Sequence, residues 1–226
     1  MKPLHVCIAA APDRAWTSPA EGVRARRRAS RRALARAAEA AGLSLPGIPT
    51  GVTFLPDPER DSHGAPLPIG AHRWTVSHTR HFVAATLWSG PVGLDIEGLR
   101  EPSQAVRQQA ASAGERAAME EHWPASEAFL RLWTAKEAVL KRTGQGLGGL
   151  SRTRLHSAAP LAPLAPTAPT ALAAGRGDAR LVLSCAGEVY TVIQGSLPGP
   201  PRHFWSVSAA GDPDLVLHRP AAAVLS

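Results

Sequence analysis

Residues Phe129–Lys141 read FLRLWTAKEAVLK, and their pattern predicts the helix around which the rest of the fold is arranged. The apolar side chains recur at helical spacing and would form one buried seam, which comprises Phe129, Leu132, Trp133 and Leu140. Glu137 and Lys141 are four residues apart and therefore share a face of this helix. Taken alone, the pair fits an ordinary amphipathic surface helix, to which it would contribute about 0.2–0.5 kcal/mol.

Lysine is rare in this chain, and its placement is informative. The sequence contains three lysines and 22 arginines, and two of the lysines, Lys136 and Lys141, lie in this helix on either side of Glu137. Lysine and arginine are not interchangeable where a compact point charge is required. The clustering therefore indicates a role for an ammonium group at this helix.

A short acidic motif lies upstream of the helix, where Gly93–Glu97 reads GLDIE. In a strand alternate residues face the same side, so Asp95 and Glu97 would point one way and Leu94 and Ile96 the other. Two adjacent acids on one face repel each other unless a cation lies between them, and carboxylate oxygens suit Mg²⁺ better than Zn²⁺. Exposed acids at a strand end are the simpler interpretation of this motif by itself.

The residues before this motif predict one more strand, Phe82–Trp88. Trp74–Arg80 leads into Phe82–Trp88, and the Ser89-Gly90-Pro91 sequence predicts a tight turn that pairs Phe82–Trp88 with the acidic strand as a hairpin. The Ser77-His78 pair is either simply exposed or positioned to donate hydrogen bonds to a phosphate.

The net charge of +7 is concentrated in one segment near the N-terminus. Residues 24–36 contain seven arginines and no acidic residue, within a helix predicted over Glu21–Ala41. Arginines recur every four residues and form one cationic stripe, which comprises Arg24, Arg28, Arg32 and Arg36. A solvated basic face is the usual explanation of such a run, and a phosphate, an acidic partner or nucleic acid is the alternative.

The 226 residues suffice for one large domain or two smaller ones, and 44% of them are apolar. No uninterrupted apolar run reaches the roughly 18 residues that would span a bilayer. Leu4–Ala11 is too short and polar for a secretory signal and predicts a first strand. The two cysteines, Cys7 and Cys185, fit no metal-ligand spacing and are expected to be reduced in a cytoplasmic protein.

Beyond Arg100 the pattern becomes helical and then strand-like. The predicted helices are Ser103–Gln109, Ser112–His122 and Ser126–Arg142, and the predicted strands are Val52–Leu55, Leu181–Ser184, Glu188–Gln194 and His203–Ala209. An Ala/Pro-rich stretch at about 158–174 is expected to be an extended, mobile insertion. No P-loop, G-x-S-x-G or dinucleotide motif is present, which argues against the common NTPase, hydrolase and Rossmann classes.

The combined motifs resemble those of the 4′-phosphopantetheinyl transferases, in particular the long monomeric type that activates peptide and polyketide synthases such as surfactin synthetase. The resemblance rests on three features in order: the Ser77-His78 pair, the GLDIE strand, and the WTAKEAVLK helix followed by Gly146-Leu147. It extends from roughly Arg24 to Leu147. It implies an α+β fold with two similar lobes, 1–100 and 101–226, related by a pseudo-twofold axis, with the active site in the cleft between them.

The resemblance implies a role for each matching residue. Asp95, Glu97 and Glu137 match the acids that hold Mg²⁺ against the coenzyme A pyrophosphate, and Asp95, Glu137 and Lys141 are the implied catalytic residues. The implied coenzyme A contacts are Ser77, His78, Asp95, Lys136 and Lys141, with Arg24, Arg28 and Arg32 chosen by spacing as contacts to the 3′-phosphate. One position departs from the family: its frequent Gly-Lys-Pro is Gly64-Ala65-Pro66 here, so the phosphate contact of that lysine is either lost or supplied by an arginine.

The function implied is that of a holo-[acyl-carrier-protein] synthase, which moves 4′-phosphopantetheine from coenzyme A to a carrier-protein serine. The expected partners are coenzyme A, Mg²⁺ and an acidic acyl or peptidyl carrier protein, and the expected state is a cytoplasmic monomer that binds neither membrane nor nucleic acid. A metal-dependent nuclease and a non-catalytic nucleic-acid-binding module are the alternatives. The first would also use acids, a lysine and a basic surface, and the second would explain the arginines alone.

Overall fold

The computed structural model describes residues 2–11, 18–49, 51–53, 55–62, 64–161 and 178–218. In chain order the strands are β1 (Leu4–Ala10), β2 (Arg73–His78), β3 (Phe82–Trp88), β4 (Val92–Gly98), β5 (Arg154–Pro160), β6 (Ala179–Cys185), β7 (Glu188–Leu197), β8 (His203–Ala209) and β9 (Leu215–His218). The α-helices are α1 (Pro19–Ala40), α2 (Gln104–Ala110), α3 (Ala113–Glu120) and α4 (Ala125–Thr143), and a 3₁₀ helix spans Leu147–Arg152.

The helices begin and end at residues that provide hydrogen bonds or backbone conformations suited to a helix terminus. Ser18, Ser103 and Ser112 each accept a hydrogen bond from a backbone amide in the first turn of α1, α2 and α3. Helix α4 ends at Gly144, whose φ of 73° lies in the left-handed region that favours glycine. The helices predicted from the sequence agree with these elements to within two residues at each end.

The strands form two sheets. Sheet one has the order β2-β3-β1-β9 and sheet two the order β4-β8-β7-β6-β5. Helix α1 packs on sheet one through a core that includes Ala33, Leu34 and Trp74, and α4 packs on sheet two through a core that includes Leu130, Leu132 and Phe204. This mixed arrangement agrees with the predicted α+β class.

A third core joins the two sheets. Leu4, Val6 and Ile8 of β1 pack in the same buried cluster as Leu94 of β4 and Trp205 of β8. Burying apolar surface between the sheets stabilises their association. Leu94 and Ile96 of β4 therefore lie in this core, whereas Asp95 lies on the other face of the strand, as predicted from strand alternation.

The hairpin predicted between β3 and β4 was wrong. Strand β3 pairs with β1 and β2 in sheet one, whereas β4 pairs antiparallel with β8 in sheet two. The Ser89–Pro91 segment consequently carries the chain from one sheet to the other instead of reversing it. Strands β1 and β2 occupy both edges of β3. Strand β1, which lies near the N-terminus, therefore pairs with β3 where the local sequence predicted β4.

Three further predictions can be compared with the structure. Val52, Thr53 and Leu55 do not lie in a strand. The start of the predicted insertion, Ala158–Pro160, belongs to β5, and its residues from 162 onward fall outside the described part of the chain. The division at residue 100 stays a prediction, although β4 lies before it and joins sheet two, while β9 lies far after it and joins sheet one. No helix in the described ranges is both long and apolar enough to cross a membrane.

Candidate functional site

Helix α4 lies unusually close to β4, and Gly93 is the reason. A β-carbon at Gly93 would come within 1.8 Å of the Ala138 carbonyl oxygen and 2.5 Å of the Arg142 amide nitrogen. Only glycine therefore permits this approach. The approach brings the ammonium of Lys141 next to β4, where it donates to the Leu94 carbonyl at 3.2 Å and to Asp95 Oδ1 at 2.7 Å.

Asp95 is the point at which both sheets and α4 meet. Its side chain is buried, and its Oδ1 accepts hydrogen bonds from Ser77 Oγ of β2 and from Lys141 Nζ of α4, both at 2.7 Å. The other oxygen, Oδ2, is buried and has no hydrogen-bond partner among the residues that the structure describes. A buried carboxylate oxygen without a partner is costly, so it marks a position where a cation or a donor would be favourable.

Glu97 and Glu137 belong to the same electrostatic cluster. Burial, followed by repulsion from Asp95, raises the pKa of Glu97 above its usual value. Burial and then repulsion from Asp95 and Glu97 raise the pKa of Glu137 to about 7, although the nearby Lys141 acts in the opposite direction. Three mutually repelling carboxylates beside one ammonium are the arrangement that a divalent cation would relieve.

The donor atoms of these acids suit the Mg²⁺ that the resemblance implies. All their donor atoms are carboxylate oxygens, which suits Mg²⁺, and the unpartnered Oδ2 of Asp95 offers an unused acceptor. Within the described ranges, however, no three acidic, histidine or cysteine side chains converge closely enough to form a ready metal cluster. The residues thus fit the metal by chemistry and by repulsion, without forming a closed cage.

A cavity of 660 Å³ opens beside this cluster, and we call it the cleft cavity. Its walls combine β2, the start of β4, the end of α4 and the loop around Ala65. Its charged lining residues are Arg60, Arg73, Glu137, Lys141 and Arg142. The volume falls in the range typical of sites for small molecules and cofactors.

A second cavity of 530 Å³ lies along α1, and we call it the arginine cavity. Its charged lining residues are Arg26, Arg27, Arg31, Asp57 and Arg60, and His78 also lines it. Arg60, Trp74 and Val76 line both cavities, so the two adjoin. Cations outnumber carboxylates in the lining of both cavities, and the lysine, Lys141, lines the cleft cavity.

Arg60 was not singled out by the sequence, yet it lies at the junction of the two cavities. Its guanidinium donates to the Gly64 carbonyl at 2.8 Å and lies 4.9 Å from the centre of the Trp74 ring. These contacts fix the guanidinium beside Ala65, the position at which the family often has lysine. The nearby Gly64-Ala65-Pro66 departure was the available signal, but it did not identify which arginine would stand there.

The structure does not bring the arginines chosen by spacing to either cavity. Arg24, Arg28 and Arg32 are exposed and point away from sheet one, because Ala29, Ala33 and Ala37 turn the opposite face of α1 inward. The four-residue repeat identified a real stripe, but this stripe is the outermost face of the helix. The cavity is lined by the neighbouring face, which carries Arg26, Arg27 and Arg31.

Lys136 also lies apart from the acidic cluster. It is 1% exposed, its ammonium lies 2.8 Å from Glu115 Oε1, and it donates to the Ala110 carbonyl at 2.9 Å. Glu115 in turn accepts from the backbone amides of Ser112 and Leu155. The pair therefore ties α4 to α3 and β5 on the side of α4 that faces away from Glu137.

Comparison with known proteins covers part of the chain. Residues 91–178 match the family model of the 4′-phosphopantetheinyl transferase superfamily. The 4′-phosphopantetheinyl transferase psf-1 of Bacillus pumilus is 33% identical over 98 residues, which are 41% of this chain and 42% of that relative. The alignment thus spans about two fifths of the relative's length. The family match includes β4 and α4, which carry Asp95, Glu97, Glu137 and Lys141, and it confirms the resemblance to the 4′-phosphopantetheinyl transferase superfamily over residues 91–178.

Proposed function

We propose that the protein transfers the 4′-phosphopantetheine group from coenzyme A to a serine of an acyl or peptidyl carrier protein and releases adenosine 3′,5′-bisphosphate. The observation that carries the proposal is the joint placement of Glu137 and Lys141 beside Asp95, at the rim of the cleft cavity. The superfamily match over the same two elements supports it. The site would lie between two lobes that the resemblance relates by a pseudo-twofold axis.

Coenzyme A would occupy both cavities. Its pyrophosphate would lie in the cleft cavity near Lys141, and its 3′-phosphate in the arginine cavity near Arg26, Arg27 and Arg31, with Arg60 between the two groups. Guanidinium groups bind phosphate oxygens with paired, charge-assisted hydrogen bonds. The exposed His78 lines the arginine cavity and would add a donor.

Asp95, Glu97 and Glu137 would hold Mg²⁺, which when bound would neutralise the pyrophosphate. Lys141 would then balance the charge that develops on the departing phosphate, because phosphoryl transfer depends on positioning and electrostatic stabilisation. Ser77 orients Asp95 through its hydrogen bond. Lys136 would act only through its buried pair with Glu115, which holds α4 in position.

The carrier serine would attack the phosphorus atom attached to pantetheine. Its oxygen forms the new P–O bond, the P–O bond to the adenosine bisphosphate breaks, and Glu137 accepts the serine proton directly or through a water molecule.

The carrier proteins of such enzymes are acidic around the modified serine, and the exposed stripe of Arg24, Arg28 and Arg32 offers a complementary surface. Its field would steer the carrier towards the protein without contacting coenzyme A. We further propose that the protein acts as a monomer in the cytoplasm. The cytoplasmic location agrees with Cys7 and Cys185, which are buried and form no disulfide.

One experiment separates this function from its alternatives. The protein is incubated with Mg²⁺, coenzyme A and an apo carrier protein, and in parallel with plain duplex DNA. We expect the carrier to gain the mass of phosphopantetheine on its serine and the DNA to stay intact. Cleaved DNA would indicate a nuclease, and DNA binding without any carrier modification would indicate a nucleic-acid-binding module.

A further inference from the structure

The chain passes between the two sheets at two places in the described structure, and both lie side by side. Ser89–Pro91 carries it from β3 to β4, and Ala210–Asp214 carries it back from β8 to β9. The Ala210 amide donates to the Pro91 carbonyl at 3.0 Å, and Trp88 Nε1 donates to the Ala210 carbonyl at 2.9 Å. These two hydrogen bonds thus hold the two crossings together.

A cavity of 560 Å³ lies against these crossings, and we call it the hinge cavity. Gly90, Ala210 and Gly211 of the crossings form one wall. The cleft cavity is lined by Pro91 and Val92, at the end of the first crossing. No residue lines both cavities, so the hinge cavity is distinct from the proposed coenzyme A site.

The lining of the hinge cavity is apolar with a basic element. Leu43, Leu87 and the indole of Trp88 provide apolar surface, and the indole nitrogen is already bonded to Ala210. Lys2 brings an ammonium, and His72 brings an imidazole whose Nδ1 is buried without a hydrogen-bond partner in the described residues. None of the residues that line this cavity is acidic.

Apolar walls with a few converging polar groups are typical of small-molecule sites, and a volume of 560 Å³ lies within their usual range. The ammonium of Lys2, with no acidic residue in the lining, selects a ligand that carries a carboxylate at one end, and the His72 imidazole adds a donor when its Nδ1 carries the proton. From this combination we propose that the hinge cavity binds a small amphipathic monocarboxylate, with its apolar part between Leu43 and Trp88 and its carboxylate towards Lys2 and His72. Such a ligand contacts both crossings at once.

Octanoate serves as the probe, and its binding to the full chain is measured by isothermal titration calorimetry. We expect saturable one-site binding in the micromolar to millimolar range. Octan-1-ol, which has the same chain without the carboxylate, should bind about tenfold more weakly or not at all. Equal affinity for the alcohol, or no saturable binding of octanoate, would overturn the proposal.

Two lysine variants determine which cavity the probe occupies. Lys2→Glu should weaken octanoate binding about tenfold or more, and His72→Asn should weaken it by a smaller factor. Lys141→Met changes the corresponding cation in the cleft cavity and should leave octanoate binding unchanged. Loss of binding in Lys141→Met with full binding in Lys2→Glu would place octanoate in the cleft cavity and overturn the assignment. Lys2 is exposed, so Lys2→Glu should retain the melting temperature of the parent chain.

Discussion

Gly93 and Ala138 lie in such close contact that a β-carbon on Gly93 would come within 1.8 Å of the Ala138 carbonyl oxygen. The contact sets the distance between β4 and α4 and thereby allows Lys141 to reach Asp95. We predict that Gly93→Ala displaces α4 and destabilises the protein by about 1–3 kcal/mol, as overpacking usually does. Chemical denaturation measures this loss, and transferase activity should fall further than stability alone explains.

Gly114→Ala is the matched control for this prediction. Gly114 lies in α3, and a β-carbon there meets no atom within 4 Å. The substitution should leave stability unchanged or raise it by up to about 1 kcal/mol, since alanine is the better helix former. Equal effects of Gly93→Ala and Gly114→Ala would show that the contact between β4 and α4 is not limiting.

The carboxylate of Glu137 can be tested by a substitution that keeps its shape. Glu137→Gln removes the charge and the proton acceptor, so kcat for carrier modification should fall by about 10²–10⁴-fold. Glu120→Gln, at an exposed glutamate of α3, is the control and should retain full activity. The assignment of Glu137 would be wrong if Glu137→Gln turned over carrier protein at the normal rate.

Adjacent arginines on α1 should have separable roles. Arg27 lines the arginine cavity, whereas Arg28 lies on the outward stripe. We predict that Arg27→Glu raises the KM for coenzyme A about tenfold or more, because the reversed charge repels a phosphate. Arg28→Glu should instead raise the KM for an acidic carrier and weaken the salt dependence of that KM. The opposite pattern would assign the phosphate to the outward stripe, as the spacing of the sequence first indicated.

The buried pair of Lys136 and Glu115 should matter for stability. Lys136→Met would leave the Glu115 carboxylate buried without its cation, and losing one partner of a buried pair costs about 3–5 kcal/mol. Adding Glu115→Gln to Lys136→Met should recover part of this loss, because it removes the uncompensated charge. Urea denaturation of both variants measures the difference. A Lys136→Met variant as stable as the parent chain would contradict the predicted cost.

Three histidines should each reduce the stability of the folded chain in acid. Burial lowers the pKa of His5, His218 and His203, and neighbouring histidines lower those of His5 and His203 further. The unfolded chain therefore takes up protons near pH 6.5 before the folded chain does. The contribution of these histidines to stability should be complete above pH 6.5, decline as the pH falls below that value, and level off below the lowered pKa values. Glu97 and Glu137 act in the opposite direction, because their raised pKa values let the folded chain take up these protons before the unfolded chain does. Denaturation midpoints at a series of pH values measure this.

His203→Phe provides the comparison for the acid effect. Both ring nitrogens of His203 are buried without a hydrogen bond of good geometry in the described part of the chain, and a weak interaction with the Pro201 backbone only partly offsets the effect of burial, which lowers the pKa. Protonation of this ring therefore carries a penalty that phenylalanine would remove. The variant should lose less stability between pH 7.5 and pH 5 than the parent chain does, a range that brackets the ordinary histidine pKa of about 6.5. An unchanged pH dependence would remove His203 from the explanation.

The parts of the site that the sequence predicted correctly are those determined by local spacing. Strand alternation placed Asp95 and Glu97 on one side, and helical spacing placed Glu137 and Lys141 on one face. The partner of Lys136 could not be predicted in this way, because Glu115 lies on another helix. The sequence pattern treats Lys136 and Lys141 alike, so it could not predict that Lys136 is buried next to Glu115.

Long-range pairing explains the other differences. The turn residues Ser89–Pro91 favoured a hairpin, but the choice of partner for β3 was decided by β1, which lies more than seventy residues earlier in the chain. Similarly, the repeat of arginines in α1 predicts a stripe without saying which face packs on sheet one. That decision depends on small side chains such as Ala33 and Ala37, whose burial requires the sheet to be present.

The hydrogen bond between the two crossings bears on how the chain is divided between the two sheets. The chain leaves sheet one before residue 92 and re-enters it after residue 209. These two points are neighbours, because the Ala210 amide nitrogen lies 3.0 Å from the Pro91 carbonyl oxygen. Sheet two and its helices therefore constitute an insertion within sheet one, whose fourth strand is supplied only after the inserted unit is complete. Sheet one consequently gains β9 only after residues 92–209, which form the inserted unit, have been synthesised.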